Sequence, residues 1–583
     1  MTCRLVLISA LISLPAFAQE EPDLSSVKGE ARARIQNLDQ YLDDWDLEAA
    51  KSELAELEKI APADVEPLAY YQGRIAFEEG RYDDALALLT KAGLTDKPGS
   101  WVRLAKDTGA IVNGYEKAES EHFIIRYPKG RDAVLVPWAL DALEAQRAAL
   151  VQDLGYAPPG KVRVELVTSA AELAKVSTLT KEAIKTTGTI AICKFNKLMV
   201  TTPRALVMGY DWLDTMAHEY VHLVVSRKSR NTVPIWMHEG LAKYLESRWR
   251  GPAGGAMTPP TLALLGMRVK KNTLVPFEKM HPSMALLPTA EDAATAFAEV
   301  YFALKLVDQE GGPQALERLL DAMAKGVSDK AAVEQVMKRK WPQFESSWMA
   351  FLKKQPFPKD LIPPSSFEKK ELTEAGPKKK KEREVSFGDF VEVTEVDARR
   401  NAHLGELFRE HKHAKAAVEA YARAWKQVGD KYESVSNKYA LALLELKEFD
   451  QAAKVLEASL QVHPGSAPSS VHLGRIYLRA KKWDAAKKSY LDANAVNPFD
   501  PEVAVALYAV AVELKDESLK QRAGATMKVL LELDDALVPE LARRFVQLDD
   551  VVNVDFGPPH AGPPKSPEKK EEKKKTEGPD EGL

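Results

Sequence analysis

The sequence reads HEYVH over residues 218–222 and PIWMHEGLAKYLE over residues 234–246. The first segment lies in a run that predicts a helix, which begins after a capping Asp211 and ends near a group of basic residues. Because an α-helix turns once every 3.6 residues, His218 and His222 project from the same face, one turn apart. Two imidazoles placed in this way can occupy two corners of a zinc tetrahedron.

Two glutamates accompany these histidines. Glu219 lies next to the first of them, so its carboxylate can reach a water molecule at an open fourth position of the metal and take its proton. Sixteen residues separate His222 from Glu239, which falls in the first turn of a second predicted helix opened by Pro234. From there Glu239 can swing towards the histidines, and Gly240 permits the close approach of another segment.

The two segments together resemble those of the gluzincin zinc peptidases, specifically the bacterial peptidase-MA-like group, whose second helix reads Trp-x-x-Glu-Gly-x-Ala-x-Tyr. The matching residues are Trp236, Glu239, Gly240, Ala242 and Tyr244. The resemblance implies that His218, His222 and Glu239 bind one zinc ion per chain. It further implies that Glu219 is the general base and then donates a proton to the leaving amine. The implied fold is an α+β zincin-like domain, a small twisted sheet with helices, over residues 119–360.

The resemblance also points to an oxyanion donor. Related enzymes often supply a tyrosine beside the zinc, and Tyr301 lies at the corresponding place on a predicted helix over 294–308. Tyr301 is therefore a second candidate catalytic residue, with a tyrosine packed between helices as the alternative. We interpret His238 as a surface residue, with a substrate contact as the alternative.

Departures from related branches narrow the expected activity. Lys243 stands four residues after Glu239, where the thermolysin branch has an aspartate that orients a ligand histidine. The Gly-x-Met-Glu-Asn loop of the aminopeptidase branch is absent, and the nearby residues 208–210 contain no glutamate. An endopeptidase is therefore favoured over an amino-terminal exopeptidase. By analogy with gluzincins, residues 198–202 are predicted to be the edge strand along which an extended peptide pairs.

Short β-rich runs precede the histidine helix. They lie at 123–127, 162–167, 189–192 and 198–201. Each is rich in β-branched or aromatic residues and is typical of a strand. The sheet of the 119–360 domain is predicted from these four runs.

A repeated pattern lies on the C-terminal side. Small and aromatic residues recur at offsets 0, 9 and 12 in Gly474, Trp483 and Ala486, in Ala440, Phe449 and Ala452, and partly in Gly405 and Ala417. The starts are 35 and 34 residues apart. This pattern resembles tetratricopeptide (TPR) repeats, which stack into a curved solenoid whose concave face usually binds peptide or protein. It implies an all-α repeat domain over 397–545.

A weaker copy of the repeat begins at Gly73, so residues 19–118 are predicted to form a second TPR-like helical region. For both regions the alternative is a set of alanine-rich amphipathic hairpins that imitate the pattern. The charged segments 361–396 and 546–583 are interpreted as a solvated linker and a solvated tail, because glutamates dilute their lysines.

The first residues predict export. Arg4 precedes the apolar stretch 5–14, and small residues at Ala16 and Ala18 suit cleavage, so residues 1–18 are predicted to be a signal peptide. The mature chain would be periplasmic or secreted. It would keep one cysteine, Cys193, which we interpret as a small buried residue on a strand. No later apolar stretch is long enough to predict a transmembrane helix.

The composition is that of an ordinary globular protein. The formal net charge is -4, and 28% of residues are charged, which gives no reason to expect nucleic acid as a partner. At 583 residues the chain is expected to form several domains.

The combined patterns predict an exported zinc metallopeptidase acting on a protein or peptide substrate, with repeats that bind a protein partner or deliver substrate. Two alternatives stay open at this point. One is a TPR scaffold of the cell envelope whose zincin domain is not catalytic. The other is a zinc hydrolase of peptidoglycan cross-links, which needs the same site in a different cleft.

Overall fold

The computed structural model describes residues 22, 24, 27–60, 66–255, 257–358 and 390–547. The predicted signal peptide, nearly all of the predicted linker and nearly all of the predicted tail lie outside these described residues. Among the residues that are described, no helix combines the length and the apolar character needed to cross a bilayer.

The chain begins with paired helices. Their bounds are α1 (Glu30–Asp43), α2 (Leu47–Ile60), α3 (Glu66–Glu78), α4 (Tyr82–Lys91) and α5 (Trp101–Val112). Helix α1 packs on α2, and α3 packs on α4. The small residue Gly73 lets α3 approach α4, because a Cβ at this position would stand 2.7 Å from Cγ of Leu89.

A five-stranded mixed sheet follows. Its strands are β1 (Glu116–Glu119), β2 (Phe123–Tyr127), β3 (Val162–Val167), β4 (Ala191–Lys194) and β5 (Lys197–Thr201), in the order β1-β2-β3-β5-β4. The pairs β2–β3 and β3–β5 are parallel, whereas β1–β2 and β4–β5 are antiparallel. The four predicted runs correspond to β2, β3, β4 and β5, and β1 was not predicted.

The prediction that residues 198–202 form the edge strand is wrong. Strand β5 lies between β3 and β4, so the edge strand on this side is β4. The physical reason is the two-residue turn at Phe195 and Asn196, whose φ angles of 56° and 55° fold the chain into a tight hairpin. The hairpin places β4 outside β5.

The helices of the central domain cover this sheet. They are α6 (Val136–Leu154), α7 (Ala170–Val176), α8 (Lys181–Thr187), α9 (Trp212–Ser229), α10 (Ile235–Leu245), α11 (Pro259–Lys271), α12 (Ala290–Glu310), α13 (Ala315–Ala324), α14 (Asp329–Met337) and α15 (Trp341–Lys353). Helix α9 is apolar on most of its faces and lies against β4, β5, α6 and α13. It is therefore a core helix.

The start of α9 differs from the prediction in one respect. Asp211 occupies the N-cap position, but its side chain makes no capping hydrogen bond. Its carboxylate instead faces Gly465 of the C-terminal helices, 3.6 Å from where a Cβ of that glycine would stand. Asp211 therefore lies where the start of α9 approaches the C-terminal helices.

Gly240 sets the distance between α10 and α12. A Cβ at this position would lie 2.6 Å from Cδ2 of Leu304 and 2.9 Å from the carbonyl oxygen of Val300. The predicted close approach at Gly240 is confirmed, and it brings the middle of α10 against the centre of α12.

The C-terminal helices form four consecutive pairs and a final helix. Their bounds are α16 (Val396–Glu410), α17 (Ala414–Val428), α18 (Glu433–Glu445), α19 (Phe449–Val462), α20 (Ala467–Arg479), α21 (Trp483–Val496), α22 (Pro501–Leu514), α23 (Glu517–Leu531) and α24 (Leu537–Gln547). Within each pair the two helices pack on one another, and α24 packs on α22. The predicted fold class, an α+β domain with helical repeats on either side, is confirmed.

One contact recurs in these pairs at a separation of sixteen residues. A Cβ at Gly405 would stand 2.9 Å from the ring of Tyr421, and a Cβ at Gly474 would stand 2.8 Å from the ring of Tyr490. The N-terminal pair of Gly73 and Leu89 has the same separation. The small residues of the repeat therefore make room for a large side chain on the second helix.

Candidate metal centre

The structure brings the three predicted metal ligands together. One ligand atom each of His218, His222 and Glu239 lies within 4.8 Å of the others. Oε2 of Glu239 is 3.4 Å from Nε2 of His218 and 3.6 Å from Nε2 of His222. Helix α9 supplies both imidazoles from one face, and the second turn of α10 supplies the carboxylate.

The chemistry of these three atoms fits a zinc ion. All three side chains are buried, and the facing atoms Nε2, Nε2 and Oε2 make no hydrogen bond within the described part of the chain. Buried polar atoms without a hydrogen bond are costly unless another partner holds them. Burial raises the pKa of Glu239, but the two imidazoles outweigh it and lower that pKa to about 2, so the carboxylate is ionised. Two imidazole nitrogens and one carboxylate are a ligand set that zinc accepts.

Glu246 holds the first histidine from its other side. Oε2 of Glu246 lies 3.0 Å from Nδ1 of His218, and Nζ of Lys243 lies 2.5 Å from Oε1 of the same carboxylate. Burial lowers the pKa of His218, but the adjacent carboxylates of Glu239 and Glu246 outweigh it and raise that pKa to about 9. With Nδ1 bonded to Glu246, Nε2 is left for a metal.

The contact of Glu246 with His218 was not predicted. In the thermolysin branch the orienting carboxylate stands four residues after the ligand glutamate, where this chain has Lys243. The carboxylate comes seven residues after Glu239, which is two helical turns and therefore the same face of α10. This helical spacing is the signal that could have identified it.

His238 was wrongly interpreted as a surface residue. It is buried, and its Nδ1 lies 3.2 Å from Nδ1 of His222 while its Nε2 lies 3.5 Å from Oγ of Ser226. Burial and the neighbouring His222 lower the pKa of His238 to about 3, so its imidazole is neutral. A neutral imidazole can accept a hydrogen bond from Nδ1 of His222, leaving Nε2 of His222 for a metal.

Glu219 lies on α9 beside the three ligands and is fully buried. Burial raises the pKa of the Cys193 thiol on the edge strand β4, and the negative charge of Glu219 raises it further. The pKa of Tyr210 is raised by the same two causes. The charge of Glu219 therefore acts on a side chain of β4 and on one of the loop before α9. Cys193 is buried on β4, as expected.

Tyr301 lies on α12 near the end of α10. Its hydroxyl donates to the carbonyl oxygen of Gly255 at 3.2 Å, and its ring packs edge-on against Tyr244. Burial and, after it, the charge of Glu246 raise the pKa of Tyr301 to about 12, so the hydroxyl keeps its proton. The structure thus places a neutral phenol on the Glu246 side of the site.

Comparison with known families agrees with this arrangement. Residues 145–354 match the family model described as the Peptidase MA superfamily. The chain contains a Peptidase MA superfamily domain. All three candidate ligands, Glu219 and Tyr301 lie inside the matched range. A second family model, described as tetratricopeptide repeat, matches residues 443–510, so the C-terminal array of the chain contains TPR repeats.

Other comparisons add little to the assignment of the peptidase MA domain. A search of curated proteins finds no match. Yeast LTA4 hydrolase in complex with bestatin is similar at 14% identity, covering 74% of this chain and 67% of that chain with a TM-score of 0.28. The APC/C hetero-tetramer Cut9-Hcn1 is similar at 10% identity, covering 91% and 86% with a TM-score of 0.25. These TM-scores are low, and the assignment rests on the two family models.

Proposed function

We propose that the protein is an exported zinc endopeptidase in which Glu219 is the general base. The observation that carries the proposal is the convergence of three buried ligand atoms, from His218, His222 and Glu239, beside a buried glutamate on the same helix. The Peptidase MA superfamily match supports a metallopeptidase-type domain, and the TPR match supports an interaction with protein.

The residues of the site have distinct tasks in this proposal. His218, His222 and Glu239 would hold zinc, which when bound polarises the substrate carbonyl and lowers the pKa of water. Glu219 takes a proton from the attacking water and passes it to the leaving amine. Its position supports this task, because Glu219 directly follows His218 on α9 and is buried beside the three proposed ligands.

Tyr301 is proposed to donate a hydrogen bond to the transition-state oxyanion. Its hydroxyl is protonated and already donates to a weak partner, the carbonyl oxygen of Gly255. To serve the reaction it must exchange this acceptor for the oxyanion, which carries more negative charge and binds a donor more strongly. Removing such a donor typically lowers kcat about 100- to 1,000-fold.

The test of the general base is Glu219→Gln. Glutamine keeps the shape of the side chain but cannot take a proton, so hydrolysis of an unfolded protein should fall by several orders of magnitude while zinc content stays at one per chain. The matched control is Glu182→Gln, at an exposed glutamate of the same domain. Zinc content is measured by atomic absorption and hydrolysis by the release of new amino termini.

Three outcomes would contradict the proposal. Equal cleavage by wild type and Glu219→Gln would exclude Glu219 as the base. Tight zinc binding without turnover of any protein by the wild type would favour a non-catalytic scaffold. Digestion of purified sacculi, but not of proteins, would favour a peptidoglycan hydrolase. Export is tested separately, by cell fractionation and by sequencing the mature amino terminus, which is expected to begin after Ala18.

A further inference from the structure

A large cavity lies between the central domain and the TPR repeats. Its volume is about 1520 Å³. It reaches the candidate metal centre, because His218 and Glu246 line it, and on the opposite side it is lined by residues of α18, α19, α20 and α21. The volume exceeds the roughly 300–1,000 Å³ of sites that hold small molecules.

Several contacts hold the two walls of this cavity together. The N–H of Tyr210 donates to the carbonyl oxygen of Val496 at 3.1 Å. Gly209 lies so close to the same carbonyl that a Cβ would stand 2.1 Å from its oxygen. The φ of Gly209 is +65°, a conformation that favours glycine. Arg522 pairs with Asp141, and its guanidinium lies 4.4 Å from the ring centroid of Trp138. The repeats therefore rest on the central domain and close one side of the cleft.

Apolar side chains face the cavity from both walls. They are Leu213, Trp249 and Phe297 on the central domain and Leu441, Leu460 and Leu491 on the repeats. An extended polypeptide points successive side chains in opposite directions, so two facing apolar walls can accept its alternate side chains.

The charged residues of the cavity are largely neutralised within the protein. The ion pairs are Asp214 with Arg250, Lys243 with Glu246, Asp141 with Arg522, and Lys488 with Asp492. Lys431 and Lys438 pair with Glu395 and Glu406 outside the cavity. Three further carboxylates line the cavity, those of Asp211, Glu392 and Glu433. Because every lysine and arginine of the lining is paired, the cavity offers little attraction to an anionic polymer. Its apolar side chains suit an apolar stretch of chain better.

We propose that an extended, apolar stretch of an unfolded polypeptide binds between the TPR repeats and the central domain, in the cavity that leads to His218. The inference rests on the proposed function, since it names the substrate class of the same site. In this arrangement the repeats form the second wall of the substrate cleft. A folded domain is too large to enter, so selection is for chains without stable structure.

The experiment blocks the repeat wall after folding. Leu441 is replaced by cysteine in a Cys3→Ser, Glu219→Gln full-length chain, where Cys193 is the one other cysteine and is buried. A benzyl methanethiosulfonate reagent then attaches an aromatic group inside the cavity, and dithiothreitol removes it. The control is Leu407→Cys, at a leucine that is 39% exposed in the same repeat domain. The probe is fluorescein-labelled lysozyme, reduced and carboxamidomethylated, and its Kd is measured by fluorescence anisotropy.

Modification of Leu441→Cys is expected to raise the Kd at least tenfold, and reduction is expected to restore it. Modification of Leu407→Cys should change the Kd less than twofold. An unchanged Kd after modification at position 441 would overturn the inference, and so would equal competition by native, folded lysozyme.

Binding and turnover separate the two proposals. Unfolded lysozyme that binds and responds to blocking, with no cleavage by the wild type, would sustain the inference and defeat the proposed function. Cleavage of short peptides by the wild type, with no binding of unfolded lysozyme, would sustain the proposed function and defeat the inference. A Leu491→Cys variant repeats the test from α21, so that a folding defect at one position does not decide the result.

Discussion

Each candidate ligand histidine contacts a second side chain through Nδ1, which leaves its Nε2 facing the proposed metal site. Nδ1 of His218 contacts Glu246, and Nδ1 of His222 contacts His238. Such partners fix the orientation and the tautomer of an imidazole, and their removal typically lowers metal affinity about 10- to 100-fold.

Glu246→Gln is therefore expected to weaken zinc binding by about that factor while leaving the three ligands in place. The amide removes the negative charge that makes Nε2 of His218 a stronger electron donor to the metal. Zinc affinity is measured by competition with a chromophoric chelator. Glu278→Gln, at an exposed glutamate, is the control and should bind zinc as the wild type does. Wild-type affinity in the Glu246 variant would show that this contact does not support the ligand.

The buried glutamate Glu299 is expected to make the free energy of unfolding depend on pH. Glu299 on α12 is fully buried and accepts one hydrogen bond, from the N–H of Val275 at 2.9 Å. Burial raises its pKa from 4.5 to about 8, although the Val275 N–H and Arg268 oppose this and Asp292 adds to it. The folded state thus binds more protons than the unfolded state between these two values. The contribution of Glu299 to the free energy of unfolding is therefore greatest below pH 4.5 and falls as the pH rises towards 8.

Glu299→Gln should remove this loss, because the amide is neutral at every pH and can still accept from Val275. The gain over wild type is expected to be on the order of 2–4 kcal/mol at pH 8 and much smaller at pH 5. Thermal unfolding at both pH values measures it. The control is Glu310→Gln, at the exposed end of the same helix. Equal shifts of Tm at pH 5 and pH 8 would contradict the assignment.

The convergence of the three candidate ligands could be predicted from the sequence, whereas the contacts of their neighbours could not. His218 and His222 share a face because of helical geometry alone, and Glu239 follows in a recognisable phrase. The contacts made by Glu246 and His238 depend on how α10 crosses α9, which is decided by packing and not by local spacing. His238 was misplaced for this reason, because its burial comes from the contact with His222 on α9.

At the scale of secondary structure, the closeness of α10 and α12 positions Glu239. Gly240→Ala should push the two helices apart, because the carbonyl of Val300 is backbone and cannot rotate away from a new Cβ. A loss of about 1–3 kcal/mol of stability is expected from such overpacking, together with weaker zinc binding. Gly251→Ala is the matched control, since nothing lies within 4 Å of a Cβ there. If the two alanine variants have the same Tm and the same zinc affinity, the contact between α10 and α12 does not position Glu239.

Strands were predicted less completely than helices. The segment Glu116–Glu119 pairs with β2 although its charged side chains give no strand pattern. Its pairing comes from backbone hydrogen bonds at the sheet margin, which propensity does not reveal. The edge position of β4 likewise depends on the hairpin at Phe195 and Asn196. Sequence runs predicted the strands, but strand order followed from turns and tertiary contacts.

At the scale of the whole molecule, the repeats and the central domain form one cleft. Repeat spacing predicted the helical pairs, because each pair packs through local contacts about sixteen residues apart. It did not predict that the array rests on the central domain. That contact joins residues separated by hundreds of positions, such as Asp141 and Arg522, and no local pattern encodes it.

The contact of Asp141 with Arg522 tests whether this arrangement exists in solution. Arg522→Glu places two negative charges together and removes the cation from Trp138, so the repeats should loosen from the central domain. The charge swap Asp141→Arg with Arg522→Glu should restore the ion pair. A coupling of about 0.5–1 kcal/mol is expected for a partly exposed pair, and it should shrink at high salt. Hydrogen exchange at the Tyr210 amide, which bonds to Val496, reports on the closed contact.

Exchange at Tyr210 should accelerate in Arg522→Glu and return towards the wild-type rate in the swap. Lys454→Glu, which reverses an exposed charge elsewhere on the repeats, is the control and should leave this exchange unchanged. If exchange at Tyr210 is the same in all variants, the ion pair does not hold the two walls together. Because the same contact closes one side of the cavity, faster exchange should also be accompanied by a higher Kd for unfolded polypeptide.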